Sequence, residues 1–295
     1  MQSADFLSAV FFYLKVGENL NQNWIVENLN NAFSTWNGKL GELWGLVTTG
    51  PQTFKGGAVW SVMQTLHNGM VGIGYALVVL FFAISLCKNT MNFHELKRPE
   101  AAIHYFIRFV AGKALVGYGM DIMLNVFSIC NGIVTDMADS MGGISEAMVS
   151  LPAEMQTAIE NVGFLASIPL WLVTILGSLF TTVLSFVMIL TVYGRFFRLY
   201  MYTALAPLPL AAFAGESTQS VGISFLKSYV GVCLEGAVIV LACVIYSAFV
   251  STPTVTSGEA TTIVWSYLAE TVFNMLVLVG LIKGSDRIIH EMMGL

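Results

Sequence analysis

The chain has 295 residues, of which 56% are hydrophobic and 11% are charged, and its mean hydropathy is +0.74. Soluble domains carry about 25% charged residues, so this composition excludes a soluble globular protein and predicts an all-α polytopic membrane protein. The formal net charge of -5 says little about the surface, because the charges are distributed unevenly along the chain. A basic stretch with interleaved aromatic residues is missing, which argues against a folded nucleic-acid-binding domain.

Residues 1–66 are predicted to form an amphipathic helical region ahead of the membrane spans. The opposite face of the predicted helix is polar, with Glu27, Asn30 and Glu42 on it. Such a helix either lies on a membrane surface or packs against the rest of the protein, and we expect this region to be extracytoplasmic. The large apolar residues recur at steps of three and four, which places them on one helical face: Ile25, Leu29, Phe33, Trp36, Leu40 and Leu43.

Five apolar stretches predict transmembrane helices, at about 67–87, 101–134, 162–193, 226–250 and 262–282. A bilayer core needs about 20 residues, so the second and third stretches are longer than a perpendicular crossing requires. These two helices must therefore tilt or project beyond the membrane. The resulting organisation is a transmembrane domain over 67–284, followed by a short cytoplasmic tail over 285–295.

Lysine and arginine residues predict the orientation of the spans. Ten of the 13 basic residues fall in three clusters, and residues 114–194 and 228–282 contain none. Because basic residues collect in cytoplasmic loops, we expect residues 88–100 to be cytoplasmic and residues 135–161 and 251–261 to be external. The amino terminus is then outside and the carboxyl terminus inside. The clusters are Lys88, Lys97, Arg98, Arg108 and Lys113; Arg195, Arg198 and Lys227; and Lys283 and Arg287.

Residues 196–214 are apolar but contain Pro207 and Pro209. Each proline removes a backbone donor and obstructs the preceding turn, so an uninterrupted helix is disfavoured. A re-entrant or interfacial broken hairpin keeps Arg195 and Arg198 on the same side as Lys227, and non-helical backbone is tolerated inside a membrane protein when it is buried. The alternative is a sixth full span, which would place both termini on one side.

Two acidic residues within the predicted spans are candidate lumen residues, because charge inside a membrane is costly and usually functional. Asp121 lies in the second span with Asn125 one turn further along, and Glu270 lies in the last span with Asn274 one turn further along. Side chains four residues apart share a helix face. The alternative is that these polar groups are structural and lie at contacts between subunits.

Lys113 and Glu235 are predicted to pair across the helices, because they lie at comparable depth and carry opposite charge. Lys113 and Asp121 are about 12 Å apart along the helix axis, which is too far for a direct pair. The alternative for Glu235 is also a structural role at a subunit contact.

The sequence contains no recognisable catalytic, cofactor-binding or metal-binding motif. The order Gly117-x-Gly119-x-Asp121 differs from the Gly-x-Gly-Asp of intramembrane aspartyl proteases, and a second catalytic aspartate within an apolar span is missing. Zinc-binding His-Glu-x-x-His, Gly-x-Ser-x-Gly and phosphate-binding glycine loops are also missing. We therefore expect a protein that is not an enzyme and needs no cofactor.

The stretch 193–200, with spaced Arg195 and Arg198, leads into 206–213, with Pro207 and Pro209, and then into Gly215-Glu216. This succession of a long span, spaced arginines and an Ala-Pro core resembles the TrbL-type conjugal transfer membrane proteins. The predicted plan of an external amino terminus, five spans and an internal carboxyl terminus is similar to that family's polytopic inner-membrane subunit. The chain is shorter than many relatives and has no large soluble extension.

The resemblance implies a channel or platform subunit of a type IV secretion or conjugation apparatus in the bacterial cytoplasmic membrane. It implies homo-oligomerisation, association with other secretion subunits including ATPases, and transient contact with a DNA–protein substrate. Arg195 and Arg198 would anchor the hairpin of Pro207 and Pro209 at the cytoplasmic face, where arginine can contact anionic lipid, an ATPase or DNA phosphates. Two further hypotheses are an ion-coupled small-solute secondary transporter and a purely structural membrane scaffold.

Overall fold

The computed structural model of the chain describes the backbone of residues 2–90, 99–140, 148–162, 164–249 and 260–295. Three parts of the predicted orientation lie outside the described residues: Lys97 with Arg98, residues 141–147 of the first external loop, and residues 251–259 of the second. Within the described ranges every regular element is a helix, which confirms the all-α prediction. The helices are α1 (Gln2–Thr48), α2 (Ala58–Thr90), α3 (Pro99–Gly117), α4 (Gly119–Ser140), α5 (Ala153–Glu160), α6 (Phe164–Leu205), α7 (Pro207–Ala211), α8 (Gln219–Phe249) and α9 (Ala260–Met293).

Four stretches are long and apolar enough to cross a membrane, and α3 with α4 forms a fifth candidate. The chain is thus a multi-pass membrane protein, as predicted. The four continuous stretches are Phe54–Lys88, Ser167–Leu205, Gln219–Phe249 and Thr262–Met293.

The second predicted span is wrong as a continuous helix. It consists of α3 and α4, which meet at a bend of 72° between Gly117 and Gly119. We call residues 117–119 the elbow. Glycine lowers the resistance of a helix to bending, and a Cβ atom on Gly119 would lie 3.1 Å from the Leu210 side chain. The flexibility of glycine permits the bend, and Gly119 leaves space for the Leu210 side chain; apolar composition reveals neither feature.

The described chain divides into two compact units, and the first comprises residues 1–44, 141–191 and 242–283. The apolar stripe predicted for α1 is buried here, with exposed fractions of 0–3% from Ile25 to Leu43. Of the two roles considered for this helix, packing within the protein is the observed one. The Asn37 side chain donates to the Val149 carbonyl at 2.7 Å and accepts from the Val149 N–H at 2.9 Å, and the Trp24 and Trp171 rings lie 5.6 Å apart.

The second unit comprises residues 45–140, 192–241 and 284–295. Its centre is α7 with the 3₁₀ turn Ala212–Ala214, which packs against α2 and α3. We call residues 206–214 the proline turn. Helix α9 continues to Met293, so the predicted tail begins inside a helix, and Ser285 is fully buried.

Lys88 of the first basic cluster and Arg195 of the second lie at opposite ends of α2. The Phe54 ring stacks on the Phe196 ring with 4.0 Å between centroids, so the start of the span lies beside Arg195. Lys88 lies at the other end of this 35-residue stretch, about 50 Å away along the helix. Because a bilayer core is about 30 Å thick, the structure does not support a common side for Lys88 and Arg195.

Candidate functional site

The Arg195 side chain is completely enclosed in the second unit, with 0% of its surface exposed. Its guanidinium donates to the Val47 carbonyl at 3.3 Å, the Val232 carbonyl at 3.2 Å and the Cys233 carbonyl at 3.0 Å. The Phe127 ring lies 6.0 Å from the guanidinium carbon, within the range of a cation–π interaction. Arg195 therefore joins α1, α4 and α8 to α6. The expectation that it faces the cytoplasm as an anchor is wrong.

The Val47 carbonyl belongs to the last turn of α1, where helix carbonyls lack intrahelical partners. In this protein every carbonyl of the turn, from residue 45 to residue 48, accepts a hydrogen bond from a side chain or a backbone N–H group. Thr49 donates to the Gly45 and Leu46 carbonyls at 2.6 and 3.1 Å, and Asn131 of α4 donates to the Thr48 carbonyl at 3.2 Å. The negative end of the α1 dipole also favours the positive guanidinium of Arg195.

Arg195 has room because α8 carries glycine beneath it. A Cβ atom on Gly236 would lie 2.7 Å from Nη1 of the guanidinium, closer than a side-chain contact allows. Gly236 therefore packs against Arg195, and no sequence motif predicts this contact.

Arg198, one turn after Arg195, holds two carboxylates. Its Nη2 lies 2.7 Å from both oxygens of Glu235, and its Nη1 binds Asp286 of α9. The Ser285 hydroxyl donates to the same Glu235 carboxylate at 3.3 Å. The Glu235 side chain is 1% exposed, whereas the Asp286 side chain is 43% exposed. The Arg198 guanidinium thus neutralises the Glu235 carboxylate, which is removed from water and requires a partner of opposite charge.

The predicted pair of Lys113 and Glu235 is wrong, because Glu235 is bound by Arg198. Depth in the membrane does not decide whether Lys113 or Arg198 binds Glu235. Arg198, on the neighbouring helix α6, faces the carboxylate. The Lys113 side chain is exposed beside the elbow. Neither Asp286 nor Ser285 was recognised from the sequence, since both lie near a helix end that was assigned to the tail.

The proline turn breaks the chain where the two prolines predicted a break. Helix α6 runs to Leu205, and Pro207 starts α7 at a position where its missing N–H is harmless. The turn is buried within the protein, and Gly74, Gly112 and Gly119 allow the neighbouring helices to approach it closely. A Cβ atom on Gly74 would lie 2.9 Å from the Pro207 carbonyl oxygen, and one on Gly112 would lie 2.8 Å from Ala214 Cβ. Pro209 is half-buried.

Polar contacts hold both ends of the proline turn. Before it, the Thr203 carbonyl lies 2.7 Å from Nδ1 of the buried His67. After it, the Glu216 carboxylate pairs with Arg108 at 2.9 Å, and the Thr218 hydroxyl donates to the Ala212 carbonyl at 2.7 Å. The partners His67 and Arg108 were not recognised from sequence as part of this region.

The two predicted lumen acids differ in their surroundings. Asp121 and Asn125 are both exposed on α4, as expected for one helix face. Glu270 is exposed on α9, but Asn274 is only 8% exposed, so these two do not share a surface. In the part of the chain that the structure describes, no group of three His, Cys, Asp or Glu residues is arranged to hold a metal ion.

A family model described as TrbL/VirB6 plasmid conjugal transfer like protein matches residues 36–207, which is more than half of the chain. The chain belongs to this TrbL/VirB6 family. The matched region includes Arg195, Arg198 and the start of the proline turn, so the resemblance seen around residues 193–216 is confirmed for its larger part. Membership implies a component of a conjugal transfer or type IV secretion apparatus, in the form of a multi-pass inner-membrane protein. No curated protein and no solved structure matches the chain.

Proposed function

We propose that this TrbL/VirB6 family member is a channel subunit that lines an aqueous passage for DNA–protein substrates through the inner membrane. The observation that supports the proposal is a polar stripe on the exposed surface of α4. The stripe consists of Asp121, Asn125, Ser128, Gly132, Asp136 and Asp139, all exposed.

The polar stripe is narrow and regular. At 100° per residue its six members fall within an arc of about 80°. The buried residues of α4 lie on the opposite side, from Met123 at 0% to Phe127 and Cys130 at 5% exposed. Helix α4 thus carries its buried residues on one side and polar residues on the opposite side, next to the exposed Ile129 and Ile133, although it forms half of a candidate membrane span.

A polar surface of this kind is unfavourable against lipid, because the hydrocarbon core offers no partners for carboxylates and amides. Water or a polar protein surface must therefore cover the stripe. A single helix face cannot enclose a passage, so the proposal requires several copies of the chain or other secretion subunits around it. Association with ATPases of the apparatus and transient contact with the substrate are parts of the same proposal.

We further propose that the carboxyl terminus lies in the cytoplasm. The support for this position is that the second and third basic clusters lie together, since Arg198 binds Asp286 next to Arg287. The exposed Glu270 of α9 is retained as a second candidate lumen residue on the same reasoning about membrane charge.

Thiol labelling tests the aqueous passage. In cells that assemble the apparatus, single cysteines at Asn125, Ser128 and Gly132 should react with a charged, membrane-impermeant reagent. Cysteines at Phe127 and Val134, on the buried face, should not react. The background carries Cys87→Ser, because Cys87 is exposed whereas the other three natural cysteines are buried.

The functional counterpart uses leucine substitutions along α4. Asn125→Leu and Ser128→Leu should reduce conjugation frequency without reducing membrane insertion, because each adds an apolar group to the wetted surface. Ile129→Leu is the matched control, since Ile129 is 69% exposed but lies beside the stripe. Absence of labelling together with unchanged transfer in both leucine variants would overturn the channel role. A monomeric protein that takes up a small solute would favour the transporter, and assembly without any labelled stripe would favour the scaffold.

A further inference from the structure

A cavity of about 380 Å³ opens beside the elbow, between α2 and the end of α3. It is lined by Tyr75, Val110, Lys113, Ala114, Gly117 and Tyr118. One cation and two phenol groups thus face a space that is otherwise apolar. This combination is absent from the polar stripe of α4, and the proposed channel role does not use it.

Lys113 is the positive group of this cavity. Its side chain is exposed, and it forms no ion pair with any residue that the structure describes. Arg108, on the same helix, is neutralised by Glu216 at 2.9 Å. Asp121 is exposed on α4, beyond the elbow, and does not line the cavity. An ammonium group in a membrane-crossing segment requires an anionic partner, and the cavity leaves room for one.

Two tyrosines add hydroxyl groups at the same place. A Cβ atom on Gly117 would lie 2.8 Å from the Tyr75 hydroxyl oxygen, so that hydroxyl rests directly against the α3 backbone. Tyr118 at the elbow is 66% exposed. Tyrosine and lysine are the residues that membrane proteins place at the level of lipid headgroups, where one end is apolar and the other is wet.

An apolar track leads away from Lys113 along α3. Four large side chains in this track are between 47% and 64% exposed, and they extend about 15 Å back along the helix. A hydrocarbon chain covers a surface of that length. The track consists of Ile103, Phe106, Ile107 and Val110.

Lys113 lies one turn before the end of α3, about 6 Å along the axis from Gly117, where the chain turns into α4. A lysine side chain is long enough to carry its charge past that end of the helix.

From these features we infer that the cavity binds a membrane glycerophospholipid, with its phosphate on Lys113 and the tyrosine hydroxyls and an acyl chain along the α3 track. Basic pockets between transmembrane helices bind anionic headgroups in this way. A lipid with net negative charge, such as phosphatidylglycerol, therefore binds better than zwitterionic phosphatidylcholine. The inference depends on membrane insertion and is independent of whether the protein forms a channel.

Native mass spectrometry of the full chain in detergent tests the inference. Phosphatidylglycerol, phosphatidylcholine or inorganic phosphate is added to the wild-type protein and to Lys113→Gln, and retained ligand is counted. Lys227→Gln is the matched control, because Lys227 is an exposed lysine on α8 outside the cavity. Tyr75→Phe removes one hydroxyl while keeping the ring in place.

We expect Lys113→Gln to bind phosphatidylglycerol about fivefold more weakly, because it loses one basic residue near an anionic headgroup. Tyr75→Phe should weaken binding to a smaller extent, and Lys227→Gln should match the wild type. Inorganic phosphate should not displace the lipid, since it lacks the acyl chain. Equal retention by Lys113→Gln and the wild type would overturn the lipid site. Loss of self-association in Lys113→Gln with unchanged lipid retention would assign Lys113 to another copy of the chain instead.

Discussion

At Arg195 the protein surrounds a guanidinium with backbone carbonyl oxygens, while Arg198, one turn later, is paired with carboxylates. Carbonyl oxygens at a helix end carry partial negative charge and cannot take up a proton near neutral pH. The planar fork of arginine can reach carbonyls on two helices at once, whereas a lysine ammonium is a single point on a flexible stem. The identity of residue 195 therefore matters beyond its charge.

Arg195→Lys should lower the free energy of unfolding by about 3 kcal/mol, because carbonyl bonds from α1 and α8 are lost inside the protein. Thermal unfolding in detergent, followed by tryptophan fluorescence, measures the effect. Arg287→Lys is the control, since the Arg287 side chain is 85% exposed and its ion pair with Glu291 lies within its own helix. Equal melting temperatures for the two variants would contradict the role assigned to Arg195.

At the scale of single residues, the sequence predicts which charged residues lie near the membrane spans, but it does not predict which groups they bind. The sequence predicts a surface position for Arg195, because basic residues at the end of an apolar stretch normally mark a loop. Helix α6 continues ten residues beyond Arg195, to Leu205, so the same residue falls inside a helix. Glu235 was given the wrong cation because depth in a membrane does not specify the direction in which a side chain points.

Among the elements, the proline turn depends on glycines from three other helices for its place. Gly74 of α2, Gly112 of α3 and Gly119 of α4 each lie so close to the turn that an added methyl group would approach it within 2.8 to 3.1 Å. Small residues allow membrane helices to approach closely, and here they admit a short buried segment between longer ones.

Substitution on α2 distinguishes packing from helix propensity. Gly74→Ala should destabilise the protein by about 2 kcal/mol, because the new methyl group meets the Pro207 carbonyl oxygen at 2.9 Å. Gly69→Ala, five residues earlier on the same helix, has open space around it and should be neutral or stabilising by up to about 1 kcal/mol. Chemical unfolding of both variants in one detergent measures the difference. Stabilisation by Gly74→Ala would show that the turn does not pack as described.

Elements with a periodic pattern were predictable, and elements defined by long-range contact were not. The α1 stripe from Ile25 to Leu43 repeats at helical spacing, so its burial followed from the sequence. Pro207 and Pro209 indicated a break by their chemistry. The elbow does not follow from the sequence, because Gly-x-Gly is common in membrane helices and Leu210, which lies close to Gly119, is far away in the chain.

For the whole molecule, the arrangement of α2 constrains the orientation in the membrane. The Glu216 N–H donates to the Ser85 hydroxyl at 3.4 Å, which places the segment after the proline turn beside the end of α2. Gln52 lies before the start of the span and is exposed. If α2 crosses the bilayer, positions 87 and 217 share one side and position 52 lies on the other.

Cysteine accessibility checks this arrangement in intact cells and in inverted vesicles. The natural Cys87 and an introduced Ser217→Cys should be labelled from the same compartment, and Gln52→Cys from the opposite one. Both introduced cysteines are made in the Cys87→Ser background, and the compartment that labels Cys87 fixes the orientation. Labelling of positions 52 and 87 from one side would show that α2 does not span the membrane.

The bond between Arg195 and the Val47 carbonyl has a consequence for biosynthesis, since it joins residues separated by 148 positions. When the ribosome has completed the amino-terminal helix, its last turn still lacks a partner that will be translated much later. Translation must then proceed through Cys233 before the guanidinium has its remaining carbonyls. The guanidinium contacts around the last turn of the first helix are therefore complete only after most of the nascent chain has been synthesised.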